Sequence, residues 1–276
     1  MLNEFENKVA VITGAGSGIG AALAKGFINQ GMRVVVADIV QAQAEQVASA
    51  LGENALARQV DVADSEQVQA LADFCFGHYG QVDLLINNAG VFQGGLSWER
   101  SLEDWEWAMG VNVYGIIHGI RAFVPRMIAQ GTDGHVVNTA SVAAYVAGAM
   151  SAPYVVSKCA AMSVSECLAL DLEMSGAKIG ASVLTPSNFN TGIAQTGKLR
   201  PSELGEDHTE DGKACAEMLQ SMLDVGASPE DAFGPVLEGV KRGDFLIATK
   251  PSYRDQLRVR YDALMERKLP PMAEID

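Results

Sequence analysis

The chain has 276 residues, 48% hydrophobic and 20% charged, which supplies a large core and excludes a disordered chain. Its 20 basic and 34 acidic residues leave a formal charge of −14, arguing against nucleic acid or an anionic membrane, which are bound by clustered Lys and Arg. Cys75, Cys159, Cys167 and Cys215 form no Cys-x-x-C pair and no His stands at metal-ligand spacing, so a reduced, cytoplasmic protein without a metal is expected.

The opening Met-Leu-Asn-Glu-Phe-Glu-Asn is too acidic for a signal peptide. No apolar run reaches the roughly 18 to 20 residues that a membrane span needs. Lys8 to Thr13 reads as a buried parallel strand, and Gly14-Ala-Gly-Ser-Gly-Ile-Gly20 follows at once. Ala21 to Gln30 then reads as a helix stopped by Gly31. Strand, glycine turn and helix together bring backbone N–H groups and a helix N-terminus up to a pyrophosphate. The next strand, Arg33 to Ala37, ends at Asp38. A carboxylate there accepts from both ribose hydroxyls of an adenosine and repels a 2′-phosphate. No base follows it closely and position 17 is Ser, so NAD is expected in preference to NADP.

The alternation continues with a helix over Gln41 to Leu51 and a strand over Ala55 to Val60, with Asp61 and Val62 at its end. A helix over Ser65 to His78, N-capped by Ser65, leads to a strand over Val82 to Ile86 and then Asn87-Asn-Ala-Gly90. Trp98, Trp105 and Trp107 fall in a linker and suit packing or an interface better than substrate contact. Gly110 to Ala129 reads as a long helix closed by Gly131, in which Asn112 is either a satisfied core amide or a kink. His135 to Thr139 is a strand running toward Ser141.

Pro153 suits the first turn of the next helix, which places Tyr154 and Lys158 one turn apart on one face. An ammonium beside a phenol is expected to lower the phenol pKa from about 10 and make Tyr154 an acid–base group. Lys178 to Thr185 is the next strand, followed by Pro186. From Ser187 to about Pro229 the periodicity weakens and acidic residues gather (Glu203, Glu206, Asp207, Glu210, Asp211), which reads as a mobile lid disfavouring anions. A helix over Pro229 to Arg242, a strand over Asp244 to Thr249 and a charged helical tail over Pro251 to Lys268 complete the chain. Such βα alternation implies one α/β domain, a doubly wound parallel sheet with helices on both faces. Gly14 to Gly20, Asp38, Asp61-Val62 and Asn87 to Gly90 then cluster at the carboxyl ends of the strands. Beside the hydroxyls, Val142, Ala143, Ala144, Val146, Ser187, Asn188 and Phe189 should line an apolar substrate pocket. His78, His118, His135 and His208 fall in no catalytic or metal pattern.

These residues resemble the short-chain dehydrogenase/reductase family. The matching positions are Thr13, Gly14, Gly18 and Gly20, then Asn87 to Gly90, then Asn112, Ser141, Tyr154 and Lys158. The resemblance spans about residues 6 to 190 and departs from the family's Pro-Gly at Pro186-Ser187. It implies a Rossmann-type sheet of about seven strands, hydride transfer with a nicotinamide, and a homo-oligomer, tetramer or dimer. It assigns the nucleotide to Gly14, Ser17, Gly18, Ile19, Gly20, Asp38, Asp61, Val62, Asn88, Ala89, Gly90, Pro186 and Thr191, together with Tyr154 and Lys158. It gives Ser141 the substrate oxygen, Tyr154 the proton, and Lys158 both the tyrosine and the nicotinamide ribose, while Asn112 positions a water leading to solvent. The resulting expectation is an NAD-dependent dehydrogenase for a hydrophobic secondary alcohol or its ketone, aromatic or alicyclic. An NADPH-dependent ketone reductase and a catalytically silent NAD-binding protein are the alternatives.

Overall fold

The computed structural model describes residues 2–205 and 209–272. Seven strands form one all-parallel sheet: β1 (Val9–Thr13), β2 (Arg33–Asp38), β3 (Ala55–Gln59), β4 (Leu84–Asn87), β5 (Gly134–Thr139), β6 (Ile179–Thr185) and β7 (Leu246–Ala248). Their order is β3-β2-β1-β4-β5-β6-β7, so the direction of winding reverses between β1 and β4. Successive strand residues point to opposite faces, and both faces are covered. Ile12, Val34, Val36 and Ile86 pack with Phe27 and Val236, from α1 (Gly18–Asn29) and α8 (Phe233–Arg242). Val11, Val35, Leu85 and Val136 pack with Cys75, Phe123 and Leu168, from α3 (Ser65–Tyr79), α5 (Gly115–Gln130) and α6 (Ala152–Ser175). Burial on both faces is why these strands read as continuous apolar runs.

The boundaries show where local chemistry overrides pattern. Helix α2 (Gln41–Leu51) is as expected, but α1 begins three residues early and takes Gly18 and Gly20 into its first turn. Helix α3 is capped by Asp64 and not by Ser65: the Asp64 carboxylate accepts from the N–H of Glu66 and of Gln67. Asp64→Ala is expected to destabilise the fold by loss of this cap, read as a lower urea midpoint at unchanged slope.

The tryptophan linker contains a helix, α4 (Leu102–Met109), started by a reciprocal capping box between Ser101 and Asp104. It runs into a π turn, Gly110–Tyr114, which carries Asn112, and only then into α5. The segment expected to form a lid holds a 3₁₀ turn (Gly192–Leu199) and a further helix, α7 (Glu210–Asp224). Phe189 bridges Ala227, so this excursion leaves and rejoins the body at adjacent points. Of its expected acidic run, Glu206 and Asp207 lie outside the described residues, as does His208. The tail is helical over α9 (Tyr253–Met265). Among the described residues, no helix is long and apolar enough to cross a membrane.

Candidate functional site

A cleft of about 910 Å³ runs along the carboxyl ends of the strands, over the β1/β4 reversal and against the segment from 187 to 229. In open α/β sheets this is where ligands bind. The glycine turn, Asp38, Asp61, Val62, Asn88, Ala89, Gly90, Ser141, Val142, Ala143, Tyr154, Lys158, Pro186, Ser187, Asn188 and Thr191 all line it. Asn112 does not, and neither does Ala144, which packs into the core beside Tyr145 and Ala161.

At one end the β1–α1 turn is pressed against the end of β4. Gly14 has φ +63°, and a Cβ added to it would stand 2.7 Å from the Ala89 Cα. A Cβ at Gly20 would collide with the Gly14 carbonyl oxygen. The Asn88 amide donates to the carbonyls of Thr13 (3.0 Å) and Gly14 (3.2 Å), which braces the turn from behind. Ser17 caps α1 in extended backbone without a side-chain cap bond, so the first-turn N–H groups face the cleft without intrahelical acceptors. Asp38 is 8% exposed, with one carboxylate oxygen accepting from Gly16 N–H (2.8 Å) and the other from Val40 N–H (2.9 Å). Those bonds fix the carboxylate and leave lone pairs on both oxygens for hydroxyl donors. Orphan N–H groups, bare glycine backbone and an oriented carboxylate fit a dinucleotide.

In the middle, Ser141 caps a short turn after β5, its hydroxyl accepting from Ala143 N–H at 3.1 Å. Both this hydroxyl and that of Tyr154 line the cleft, near enough for Ser141 to favour the phenolate. Pro153 sits in the first turn of α6, so Tyr154 enters the cleft from the helix start, with Lys158 one turn later. The Lys158 ammonium lies 5.6 Å from the Tyr154 ring centre and donates to the Thr139 carbonyl at 3.1 Å. Burial pushes Lys158 down to about 8. The expected depression of Tyr154 does not follow: burial raises the phenol, opposed by the nearby Ser141 hydroxyl. Behind them the Asn112 carbonyl accepts from Val91 N–H (2.8 Å), and its amide donates to Val91 C=O (2.9 Å) and Ser157 Oγ (2.9 Å). Ser157 then donates to the Tyr154 carbonyl at 2.7 Å. The π turn bulges Asn112 toward α6, and Ser157, which the sequence did not single out, joins the two elements.

Toward the lid the wall is apolar, with Phe92, Trp107, Met150, Phe189, Met218 and Met222 among its residues. Trp107 is therefore a wall residue as well as a packing one, a correction to the linker reading, whereas Trp98 is exposed. One carboxylate of the expected acidic run is neutralised: Asp211 pairs with the buried guanidinium of Arg100 at 3.1 Å. It cannot repel anions as a free carboxylate would. Cys215 lies on the same wall, while Cys167 is exposed on α6.

The short chain dehydrogenase family model matches residues 8–200 of the chain. The chain belongs to the short-chain dehydrogenase family. Family membership makes it a nicotinamide-dependent oxidoreductase acting on CH–OH groups. It is 34% identical over 274 residues to the C alpha-dehydrogenase of a Sphingobium species, covering 98% of this chain and 89% of that one. The same identity over 274 residues relates it to 1-deoxy-11-beta-hydroxypentalenate dehydrogenase of Streptomyces exfoliatus, with 97% and 92% covered. Among solved structures, a short-chain dehydrogenase/reductase from Burkholderia phymatum in complex with NAD superposes with TM-score 0.95 at 38% identity, covering 98% of this chain and 99% of that one.

Proposed function

We propose that this dehydrogenase uses NAD to oxidise a bulky, hydrophobic secondary alcohol, with Tyr154 as its acid–base group. One observation carries the reading: the hydroxyls of Ser141 and Tyr154 open together into an apolar chamber, with a buried Lys158 behind them. When bound, the nicotinamide supplies the hydride acceptor. Ser141 holds the substrate oxygen, and Tyr154 takes the hydroxyl proton at its own oxygen. The Lys158 ammonium stabilises the phenolate that results. Ser141 and Tyr154 both address one oxygen, so charge developing there is met by oriented groups in a site sheltered from water.

NAD as the cofactor is supported by Asp38 and by the NAD complex of the Burkholderia relative. The glycine turn, Asp61-Val62, Asn88 to Gly90, Pro186 and Thr191 form its proposed seat. Removing the carboxylate deletes the ribose acceptor and the brace on Gly16. Asp38→Ala is therefore expected to weaken NAD by about 10- to 100-fold and to narrow its advantage over NADP. Titrating both nucleotides against wild type and variant reads this directly. An undiminished preference for NAD would reject the assignment.

The substrate reading is supported by the aromatic and methionine wall under the lid and by the hydroxyl-bearing substrate named for the Streptomyces relative. The segment from 187 to 229 acts as the substrate cover, and the apolar lining selects the body of the alcohol. A screen of secondary alcohols with NAD, followed by nicotinamide absorbance, tests the proposal. Turnover confined to small polar alcohols would refute the substrate class.

A further inference from the structure

We propose that Arg200 is a positioning residue for Tyr154, acting through the Phe92–Gln93 segment; the proposal rests on the reading of Tyr154 given above. Arg200 ends the 3₁₀ turn of the lid, and its side chain is buried. Its Nη1 pairs with Asp104 at 2.5 Å and donates to Gln93 Oε1 at 3.1 Å. The guanidinium also lies 5.6 Å from the Trp107 ring centre, on the cleft wall. From the same 3₁₀ turn, Thr196 Oγ1 accepts from Phe92 N–H at 2.9 Å. Two consecutive residues, Phe92 and Gln93, are thus held by two bonds from one turn of the lid.

The consequence falls on the catalytic tyrosine. The Phe92 ring stands 5.1 Å from the Tyr154 ring, tilted by 54°, and forms its neighbour on the substrate side. Whatever fixes the Phe92 backbone and the Gln93 side chain therefore restrains one wall of the space in which Tyr154 meets the alcohol. The counterion is itself fixed: the second Asp104 oxygen accepts from Ser101 N–H in the α4 capping box. Arg100 reinforces the arrangement from the other end of the lid, donating to Thr209 Oγ1 at 2.6 Å and pairing with Asp211. A buried ion pair of this kind is expensive to break from one side, because Asp104 would keep only its longer contact to Arg100 at 3.9 Å. Arg200 converts that cost into placement of a site residue it does not touch.

The test compares Arg200→Met, Arg200→Lys and Thr196→Val with wild type, using α-tetralol and NAD as probes. Arg200→Met is expected to lower kcat/KM at least about tenfold while leaving NADH affinity within about twofold, with Arg200→Lys recovering part of the loss. Thr196→Val should move the same constants in the same direction by less. Amide hydrogen exchange, which needs no substrate, should quicken at residues 91–93 and 192–199 and stay unchanged over residues 9–20. A purely structural role would lower the melting temperature without this split between alcohol and cofactor. Unchanged kcat/KM together with unchanged exchange at Phe92 in Arg200→Met overturns the proposal, and if that variant does not fold, the same result in Thr196→Val does so. If wild type does not oxidise α-tetralol, the exchange data decide alone. A fully active Tyr154→Phe would instead refute the functional reading while leaving the exchange result to judge Arg200.

Discussion

Tyr154→Phe is expected to lower kcat for alcohol oxidation by about 10²- to 10⁴-fold, the range that one positioned acid–base group contributes. The ring and its contact with Phe92 survive the change, and only the hydroxyl shared with Ser141 is lost. NADH affinity and the melting temperature should therefore stay close to wild type, which separates lost chemistry from lost structure. Steady-state rates with NAD and an alcohol from the screen, beside an NADH titration, make the measurement. Near-native turnover in the variant would mean that another group moves the proton.

A second large effect concerns stability and acid. His135 on β5 is fully buried, its Nε2 lies 2.7 Å from Ser182 Oγ, and Ser182 donates onward to the Asp244 carbonyl at 2.6 Å. The serine's proton is thus committed, so Nε2 must be the donor, and the buried Nδ1, which has no acceptor for a second proton, keeps the ring neutral. Burial pushes the imidazole down from 6.5 to about 4. Between those values the unfolded chain binds a proton that the folded chain refuses, so stability is present above pH 6.5 and falls as the pH drops toward 4. The full loss is about 3 kcal/mol. His135→Phe should be less stable than wild type at pH 7.5, because the bond to Ser182 is gone, yet should lose less on acidification. Urea midpoints at pH 7.5, 6 and 5 for both proteins give the difference, which also subtracts the carboxylates they share. Parallel lines for the two would exclude His135 as the source.

Legibility of the sequence tracked how local each feature is. The parallel strands read correctly because runs such as Val34 to Ala37, buried on both faces, leave no other interpretation. The glycine turn and Asp38 were legible because they sit next to one another in the chain order that a dinucleotide requires. Helix α7 was missed although its signal is present: Cys215, Met218, Leu219, Met222 and Leu223 recur at helical spacing. Flanking glycines and acidic residues masked it. Helix α4 was hidden by reading its tryptophans one at a time.

The ion pairs were out of reach for a different reason. Nothing in the neighbourhood of Arg200 announces Asp104, and only the folded chain brings them together. The direction of the Tyr154 shift failed on the same ground. Spacing supplied the ammonium but not the burial, and in the fold Lys158 is turned partly toward the Thr139 carbonyl.

The pairing of Phe189 with Ala227 has a consequence for the history of such a protein. A stretch that departs and returns through one narrow doorway can lengthen, shorten or be replaced as a cassette, because the sheet experiences only the two doorposts. Selectivity for new alcohols can then diversify in that interchangeable piece while the nucleotide seat is inherited intact. In this chain the exchange carries one condition, since a transplanted cassette must bring its own answer to the carboxylate waiting at position 104.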